Sequence, residues 1–229
     1  MREPTAVVFD LDDTLYGERR FALSGYAAVA AHLSAAHGID AARTFRFLVG
    51  RFRAGARADL LQALCARHAL PSTDVARLVD VIRTHPPRLR LPRAAGAVLA
   101  HLRSRGHRLG VLTNGLPGTQ RGKIAALGLR DAVDVIVYAQ ECAPNGKPAL
   151  ECFETVLERL EVGPSDAVFV GDHPEKDIAG AAAAGLRTIW MSQYCLHAAA
   201  DTADAVAHRL GDVPAIAERL LEERHVAPC

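Results

Sequence analysis

The chain has 229 residues, half of them hydrophobic, and its 27 basic and 26 acidic residues leave a formal net charge of +1. This length allows one sizeable domain, or a domain with a smaller module. The even charge balance argues against a dedicated nucleic-acid binder, which usually has a strong basic excess. We therefore expect no nucleic-acid polymer as a partner.

The N-terminal sequence MREPTAVVFDLDD lacks a signal-peptide pattern, because its apolar stretch is interrupted early by acids. No window approaches the roughly 18 apolar residues that span a bilayer. The five cysteines are scattered and form no CxxC pair, which predicts free thiols rather than a disulfide framework or a zinc site. These features predict a soluble, cytoplasmic protein that does not bind a membrane.

The first apolar run, AVVF at residues 6–9, predicts a strand buried on both faces, as in a parallel sheet. The segment that follows, 17–88, has a helical pattern, few β-branched residues and many arginines. We predict that 17–88 is a helical insertion, and that 1–16 together with 89–229 forms the core domain. The arginines of the insertion are more typical of a solvated helical face than of a binding surface.

Helical and strand-like segments alternate regularly from about residue 92 onward. The predicted helices are 92–105, one after the loop 114–118 that ends near 127, 148–160, 175–184 and about 213–224, and the predicted strands are 108–113, 133–138, 167–170, 187–190 and about 203–207. This alternation predicts an α/β fold, a Rossmann-like, doubly wound parallel sheet, with the helical insertion as a separate cap domain.

Polar residues cluster where the predicted strands end. Ligands of open parallel sheets bind outside the carboxyl ends of the strands, so these residues are candidates for a common site. They are Asp10, Asp12, Asp13 and Thr14 after the first strand, Thr113 and Asn114 after the second, Lys147 after the third, and Asp172 and Asp177 after the fourth.

Several carboxylates in one place repel each other unless a cation lies between them. Oxygen-rich sites of this kind suit Mg²⁺. Lys147, Thr113 and loop N–H groups would then be available to hold phosphoryl oxygens. An Asp at the centre could act as a nucleophile and form an aspartyl-phosphate. The pattern therefore predicts magnesium-dependent phosphoryl transfer.

The strings DLDDTL, LTNG, GKP and GDHPEKD resemble, in order, the four motifs of the haloacid dehalogenase-like (HAD) superfamily. The resemblance covers roughly residues 5–16 and 90–225. It implies that Asp10 is the nucleophile, and that Asp12 is first the general acid for the leaving group and then the general base for water.

The same resemblance implies a role for each of the other motif residues. Thr113, Asn114 and Lys147 would bind the substrate phosphate, and Lys147 would also steady Asp10. Mg²⁺ would be bound by Asp10, Asp172 and the backbone carbonyl of Asp12. Asp177 would orient metal-bound water or support Lys147.

Two positions depart from the family pattern. Lys176 stands where the family often has Asn before the last Asp, and His173 follows Asp172 where Ser is frequent. Neither position is essential to the chemistry, and His173 is more typical of a loop residue with a local hydrogen bond than of a metal ligand.

Each motif residue also has a purely structural interpretation. Asp10 and Asp12 could be turn or capping acids, and Thr113 could cap a helix or loop. Lys147 could be a solvated surface lysine, and Asp177 an acid favoured by a helix N-terminus.

The function predicted from these features is hydrolysis of a small phosphomonoester, a nucleotide or a sugar phosphate. The insertion resembles the helical cap of the first HAD subfamily, which would act as a lid and favour small metabolites. The motifs look closest to nucleotidase-like and acylneuraminate-phosphatase-like members. A monomer or a homodimer is expected.

Three other functions stay open at this point. The same nucleophile could attack carbon in a haloacid dehalogenase, although that reaction needs neither a metal nor Asp12. The aspartyl-phosphate could be passed to a sugar, as in a phosphosugar mutase. A phospho-accepting receiver or binding module is the non-enzyme alternative, although receivers carry their acceptor Asp on a later strand.

Overall fold

The computed structural model describes residues 4–194 and 202–223. The chain divides into two compact units, a helical unit, Glu18–Leu89, and an α/β unit, Met1–Gly17 with Arg90–Cys229. The domain bounds predicted above were 17–88 for the insertion and 1–16 with 89–229 for the core. That the helical unit serves as a cap stays a prediction.

The helical unit is built from amphipathic helices. They are α1 (Arg19–His37), α2 (Ala41–Arg53), α3 (Leu60–Arg67) and α4 (Asp74–Thr84). Helix α1 buries Tyr26, Val29 and Leu33, which recur at helical spacing and therefore face one apolar cluster. Asp40 caps α2, since its carboxylate accepts a 2.7 Å hydrogen bond from the backbone N–H of Arg43.

A parallel sheet forms the centre of the α/β unit. Its described strands are β1 (Ala6–Phe9), β2 (Arg108–Thr113), β3 (Val135–Tyr138), β4 (Ala167–Gly171), β5 (Arg187–Met191) and β6 (Ala205–Ala207). They are arranged in the order β3-β2-β1-β4-β5-β6, and every described pairing is parallel. The chain thus reverses its direction of winding next to β1, where ligands of such sheets bind.

The central position of β1 explains its composition. It pairs with β2 on one side and β4 on the other, and all four of its residues have no exposed surface. A strand that is covered on both faces reads as a continuous apolar run, as AVVF does.

Helices cover both faces of the sheet. They are α5 (Arg93–Ser104), α6 (Pro117–Leu127), α7 (Ala139–Cys142), α8 (Leu150–Leu160), α9 (Gly180–Ala183) and α10 (Val213–Glu223), with short 3₁₀ turns at Leu129–Asp131, Pro164–Asp166 and Leu210–Asp212. Helix α8 packs on the face that carries Val8 and Phe169, where Phe153 meets Phe169 edge to face. Helix α5 packs against β2, and α10 against β4 and β5. The predicted α/β, Rossmann-like parallel sheet is confirmed.

One predicted helix, 175–184, differs in the structure. A π-helical turn, Pro174–Ala179, comes first and continues into α9. The carbonyl of His173 accepts from both Asp177 N and Ile178 N, so the turn is one residue wider than in an α-helix. The last helix is described to Glu223, and the predicted end at Arg224 lies outside the described residues.

Cys65, Cys142 and Cys152 are free thiols, as predicted, while Cys195 and Cys229 lie outside the described residues. Among the helices in the described ranges, none combines the length and apolar character that a membrane crossing requires.

Candidate active site

The chain leaves the central strand β1 directly into Asp10. The backbone N–H of Asp10 donates to Val170 O at 2.9 Å, which extends the ladder between β1 and β4 by one residue. The chain then turns sharply, with Asp13 at φ 55° and Leu15 N bonded to Leu11 O. This geometry holds the Asp10 side chain at the carboxyl edge of the sheet.

Lys147 is the buried cation of this edge. Its Nζ lies 2.6 Å from Asp10 Oδ1, 2.7 Å from Asp177 Oδ1 and 2.9 Å from Leu112 O. Those acceptors match the three donors of an ammonium group. Burial opposes the charge of Lys147, but the carboxylates of Asp10 and Asp177 outweigh it and raise its pKa, so the group stays protonated.

Asn114 holds the loop that carries Lys147. Its amide nitrogen donates to Lys147 O at 3.1 Å, and its amide oxygen accepts from Lys147 N at 2.9 Å. Gly146, at φ 64°, lies so close that a Cβ there would be 2.7 Å from Asn114 Oδ1. The side chain of Asn114 therefore positions Lys147, and binding of the substrate phosphate by Asn114 stays a prediction.

Asp177 is held by contacts to both of its carboxylate oxygens. Its Oδ2 accepts the backbone N–H of His173 at 3.0 Å while Oδ1 binds Lys147. It lies directly over Gly171, where an added Cβ would be 2.5 Å from Asp177 Cβ. Any side chain at the end of β4 would displace Asp177, and hence one of the two anionic partners of Lys147. His173 makes the expected local bond, since its Nδ1 accepts from Lys176 N at 3.3 Å.

Asp10, Asp172 and Asp177 each present a carboxylate oxygen within 4.8 Å of the others. Burial, followed by the charges of Asp177 and Asp13, raises the pKa of Asp172 to about 7, although Lys147 opposes the shift. Burial also raises the pKa of Asp10 well above its usual range, in spite of Lys147. One ammonium does not balance this charge, and the oxygen-only donor set fits a hard divalent cation.

The carboxylate of Asp12 lies among a different set of partners. Its Oδ1 accepts from Tyr16 Oη at 2.5 Å and from Lys123 Nζ at 2.9 Å. Its Oδ2 accepts from Lys123 Nζ at 2.7 Å and from Gln120 Nε2 at 2.9 Å. A metal contact from Asp12 would therefore come from its backbone carbonyl, as the family resemblance implies, and not from its side chain.

Thr113 is buried at the end of β2, and its Oγ1 accepts from Gln120 Nε2 at 2.6 Å. Gln120, Lys123 and Tyr16 did not emerge from the motif comparison. Gln120 and Lys123 are three residues apart on α6 and so share one helix face. Their spacing on the helix that follows LTNG was the sequence feature that could have identified them.

We expect Lys147→Met to lower the free energy of unfolding by roughly 3–5 kcal/mol, because it leaves Asp10 and Asp177 buried without their cation. Urea denaturation, followed by the fluorescence of the single tryptophan, Trp190, measures this change. The exposed Lys176 provides the control, and Lys176→Met should change stability by no more than about 0.5 kcal/mol. Equal, small changes in both variants would contradict the assigned role of Lys147.

Comparison with known proteins gives the family and the fold. A family model described as haloacid dehalogenase-like hydrolase matches residues 4–185. The magnesium-bound HAD-hydrolase YfnB of Bacillus subtilis superposes with a TM-score of 0.68 and 21% identity, over 94% of this chain and 99% of that one. At this identity the likeness concerns the fold alone.

Three curated relatives are described as phosphatases. Ribulose-1,5-bisphosphate 5-phosphatase of Halopiger xanaduensis is 32% identical over 89% of this chain and 91% of its own length. Phosphoserine phosphatase of Thermus thermophilus is 39% identical, over 43% of this chain and 39% of its own length. N-acylneuraminate-9-phosphatase of Rattus norvegicus is 42% identical, over 42% of this chain and 39% of its own length. The chain spans less than half of the last two proteins. The resemblance stated from the motifs is confirmed, and the chain belongs to the haloacid dehalogenase-like hydrolases.

Proposed function

We propose that this protein is a Mg²⁺-dependent phosphatase of small phosphomonoesters and that Asp10 is its nucleophile. One observation carries the proposal: Asp10 touches the buried Lys147 and belongs to the acid cluster with Asp172 and Asp177. A second carboxylate, Asp12, follows two residues later at the same edge of the sheet.

The reaction proceeds in two halves. In the first, a carboxylate oxygen of Asp10 attacks phosphorus, the ester P–O bond breaks, and the leaving oxygen takes a proton from the carboxyl group of Asp12. In the second, water attacks the phosphorus of the aspartyl-phosphate and gives a proton to the Asp12 carboxylate, while the bond between phosphorus and Asp10 breaks. The sum is hydrolysis of the ester by one water, with both acids restored.

The surrounding residues hold the transferred group and offset its charge. Lys147 stays positive beside Asp10 and pairs with phosphoryl oxygens as they gain charge. Thr113 and the N–H of Asn114 lie at the end of β2, one strand away, and bind the remaining oxygens. Mg²⁺ held by Asp10, Asp172 and the Asp12 carbonyl would neutralise the phosphate charge. Asp177 acts through Lys147.

The alternatives fit these residues less well. A dehalogenase would use Asp10 but needs neither a metal, and hence Asp172, nor Asp12. A phospho-accepting module needs no acid-base group two residues beyond its acceptor. A phosphosugar mutase uses the same chemistry on a sugar acceptor, and dependence on a sugar bisphosphate would reveal it.

The names of the relatives favour sugar phosphates as the substrate class, since one of them acts on ribulose-1,5-bisphosphate and aligns over 91% of its length. Nucleotides are the second class to test. We further propose that the helical unit, Glu18–Leu89, is the cap domain that selects the leaving group. A cytoplasmic location and a monomeric or homodimeric state stay predictions.

We expect the purified protein to hydrolyse p-nitrophenyl phosphate with Mg²⁺, and Asp10→Asn to lose at least about 10³-fold in turnover, because an amide cannot form the acyl phosphate. A panel of sugar phosphates and nucleotides, scored by relative kcat/KM, identifies the substrate class. Asp80→Asn, an exposed acid of α4, is the matched control. Normal turnover by Asp10→Asn would end the proposal, as would turnover of 2-haloacids in place of phosphate esters.

We expect Mg²⁺ to raise the melting temperature of the wild-type protein, because binding to the folded state adds about 1.4 kcal/mol when free Mg²⁺ is about ten times its Kd. Asp172→Asn should abolish most of this shift and Asp80→Asn none of it. A thermal scan with and without Mg²⁺ measures it without reference to activity. A full shift in Asp172→Asn would exclude Asp172 as a ligand.

A further inference from the structure

The Asp12 carboxylate is held by side chains to which neither the motifs nor the family resemblance assign a role. Tyr16, Gln120 and Lys123 give it four hydrogen bonds of 2.5 to 2.9 Å, two on each oxygen. The two oxygens of a carboxylate have about four acceptor sites, and donors from three side chains fill them here. An exposed acid in a turn would have water at most of these sites, whereas protein donors occupy them at Asp12.

Lys123 is unusual because it is a buried lysine. Only three of the 27 basic residues are lysines, at positions 123, 147 and 176. Lys176 is exposed, whereas Lys123 and Lys147 are 3% and 2% exposed. Lys147 pairs with Asp10, and Lys123 pairs with Asp12. Burial of an ammonium is costly unless it has an anionic partner, and each of these two buried lysines pairs with one of the three acids of the first motif.

Gln120 connects this environment to the phosphate site. Its Nε2 donates to Asp12 Oδ2 at 2.9 Å and to Thr113 Oγ1 at 2.6 Å. Helix α6 places Gln120 and Lys123 on one face, so both reach Asp12 from the same side. Tyr16, with no exposed surface, reaches it from the end of its own turn.

We propose that Lys123 is the positioning residue of Asp12: with Gln120 and Tyr16 it holds this carboxylate where the water that hydrolyses the aspartyl-phosphate gives up its proton. The inference rests on the proposed function and deepens it. Lys123 acts through Asp12, because its Nζ contacts both oxygens of that carboxylate.

The arrangement favours the second half of the reaction. Each of the four hydrogen bonds runs from a donor to an Asp12 oxygen, so both oxygens act as acceptors, as a base must. In that half, an O–H bond of water breaks and its proton goes to an Asp12 oxygen, where it takes the place of one of the four donors, because these fill the acceptor sites. The water oxygen bonds to phosphorus, and the bond from phosphorus to Asp10 breaks. Without Lys123, the carboxylate loses two of its four hydrogen bonds and with them its fixed orientation.

The test uses Lys123→Met and p-nitrophenyl phosphate with Mg²⁺. Nitrophenolate leaves without help from an acid, so formation of the aspartyl-phosphate should survive the substitution. Its hydrolysis should slow by roughly 10- to 100-fold, part of the usual contribution of a positioned base. Rapid-quench kinetics should therefore show nitrophenol released quickly, up to one equivalent, and then slow turnover. Acid-quenched samples should hold more covalent phosphate than the wild type.

Two matched controls accompany this measurement. Arg121→Met removes a cation from the exposed side of the same helix and should behave as the wild type. Tyr16→Phe removes one hydroxyl from Asp12 and keeps the ring in place, so it should show the same pattern to a smaller extent. It also carries the test if Lys123→Met does not fold.

The inference is overturned if folded Lys123→Met, or Tyr16→Phe in its place, turns over like the wild type. It is equally overturned if the rapid phase and turnover fall by the same factor, as a general structural defect would cause. Wild-type protein that hydrolyses no phosphate ester would instead refute the proposed function, and the inference with it. Normal wild-type turnover beside an unaffected variant refutes the inference alone.

Discussion

The site depends on one buried ammonium group between two carboxylates. Lys147 joins Asp10 after β1, Asp177 after β4 and the carbonyl of Leu112 in β2, so a single side chain links the ends of three neighbouring strands. The acids would be too costly to bury without it, and the lysine would be too costly to bury without them. In the proposed mechanism, its position would determine where a phosphoryl group binds.

Two lysines pair with two different acids of the first motif. Lys147 binds Asp10, the proposed nucleophile, and Lys123 binds Asp12 from helix α6. The two carboxylates therefore lie in separate environments although only one residue stands between them. Burial raises the pKa of Asp172 to about 7, and a cation bound at this carboxylate would favour its charged form.

Much of the fold follows from sequence patterns among neighbouring residues. The run AVVF, the alternation of helices and strands, and the acids after each strand end were enough to predict the parallel sheet and the edge where the acids meet. The partners of Asp12 were not predictable in this way, because Gln120 and Lys123 are 108 and 111 residues away and only the packing of α6 brings them near. Asn114 was expected at the phosphate, but its side chain is engaged by the backbone of Lys147, a contact that depends on the loop conformation at Gly146.

The most direct test of the central claim is a crystal structure of the protein with Mg²⁺ and beryllium trifluoride, which mimics a phosphoryl group attached to a carboxylate. We predict that beryllium is bonded to an oxygen of Asp10, that Lys147 Nζ is within hydrogen-bonding distance of the fluoride cluster or of Asp10, and that Mg²⁺ lies between Asp10 and Asp172. Beryllium on another residue, or Mg²⁺ away from Asp172, would contradict the account.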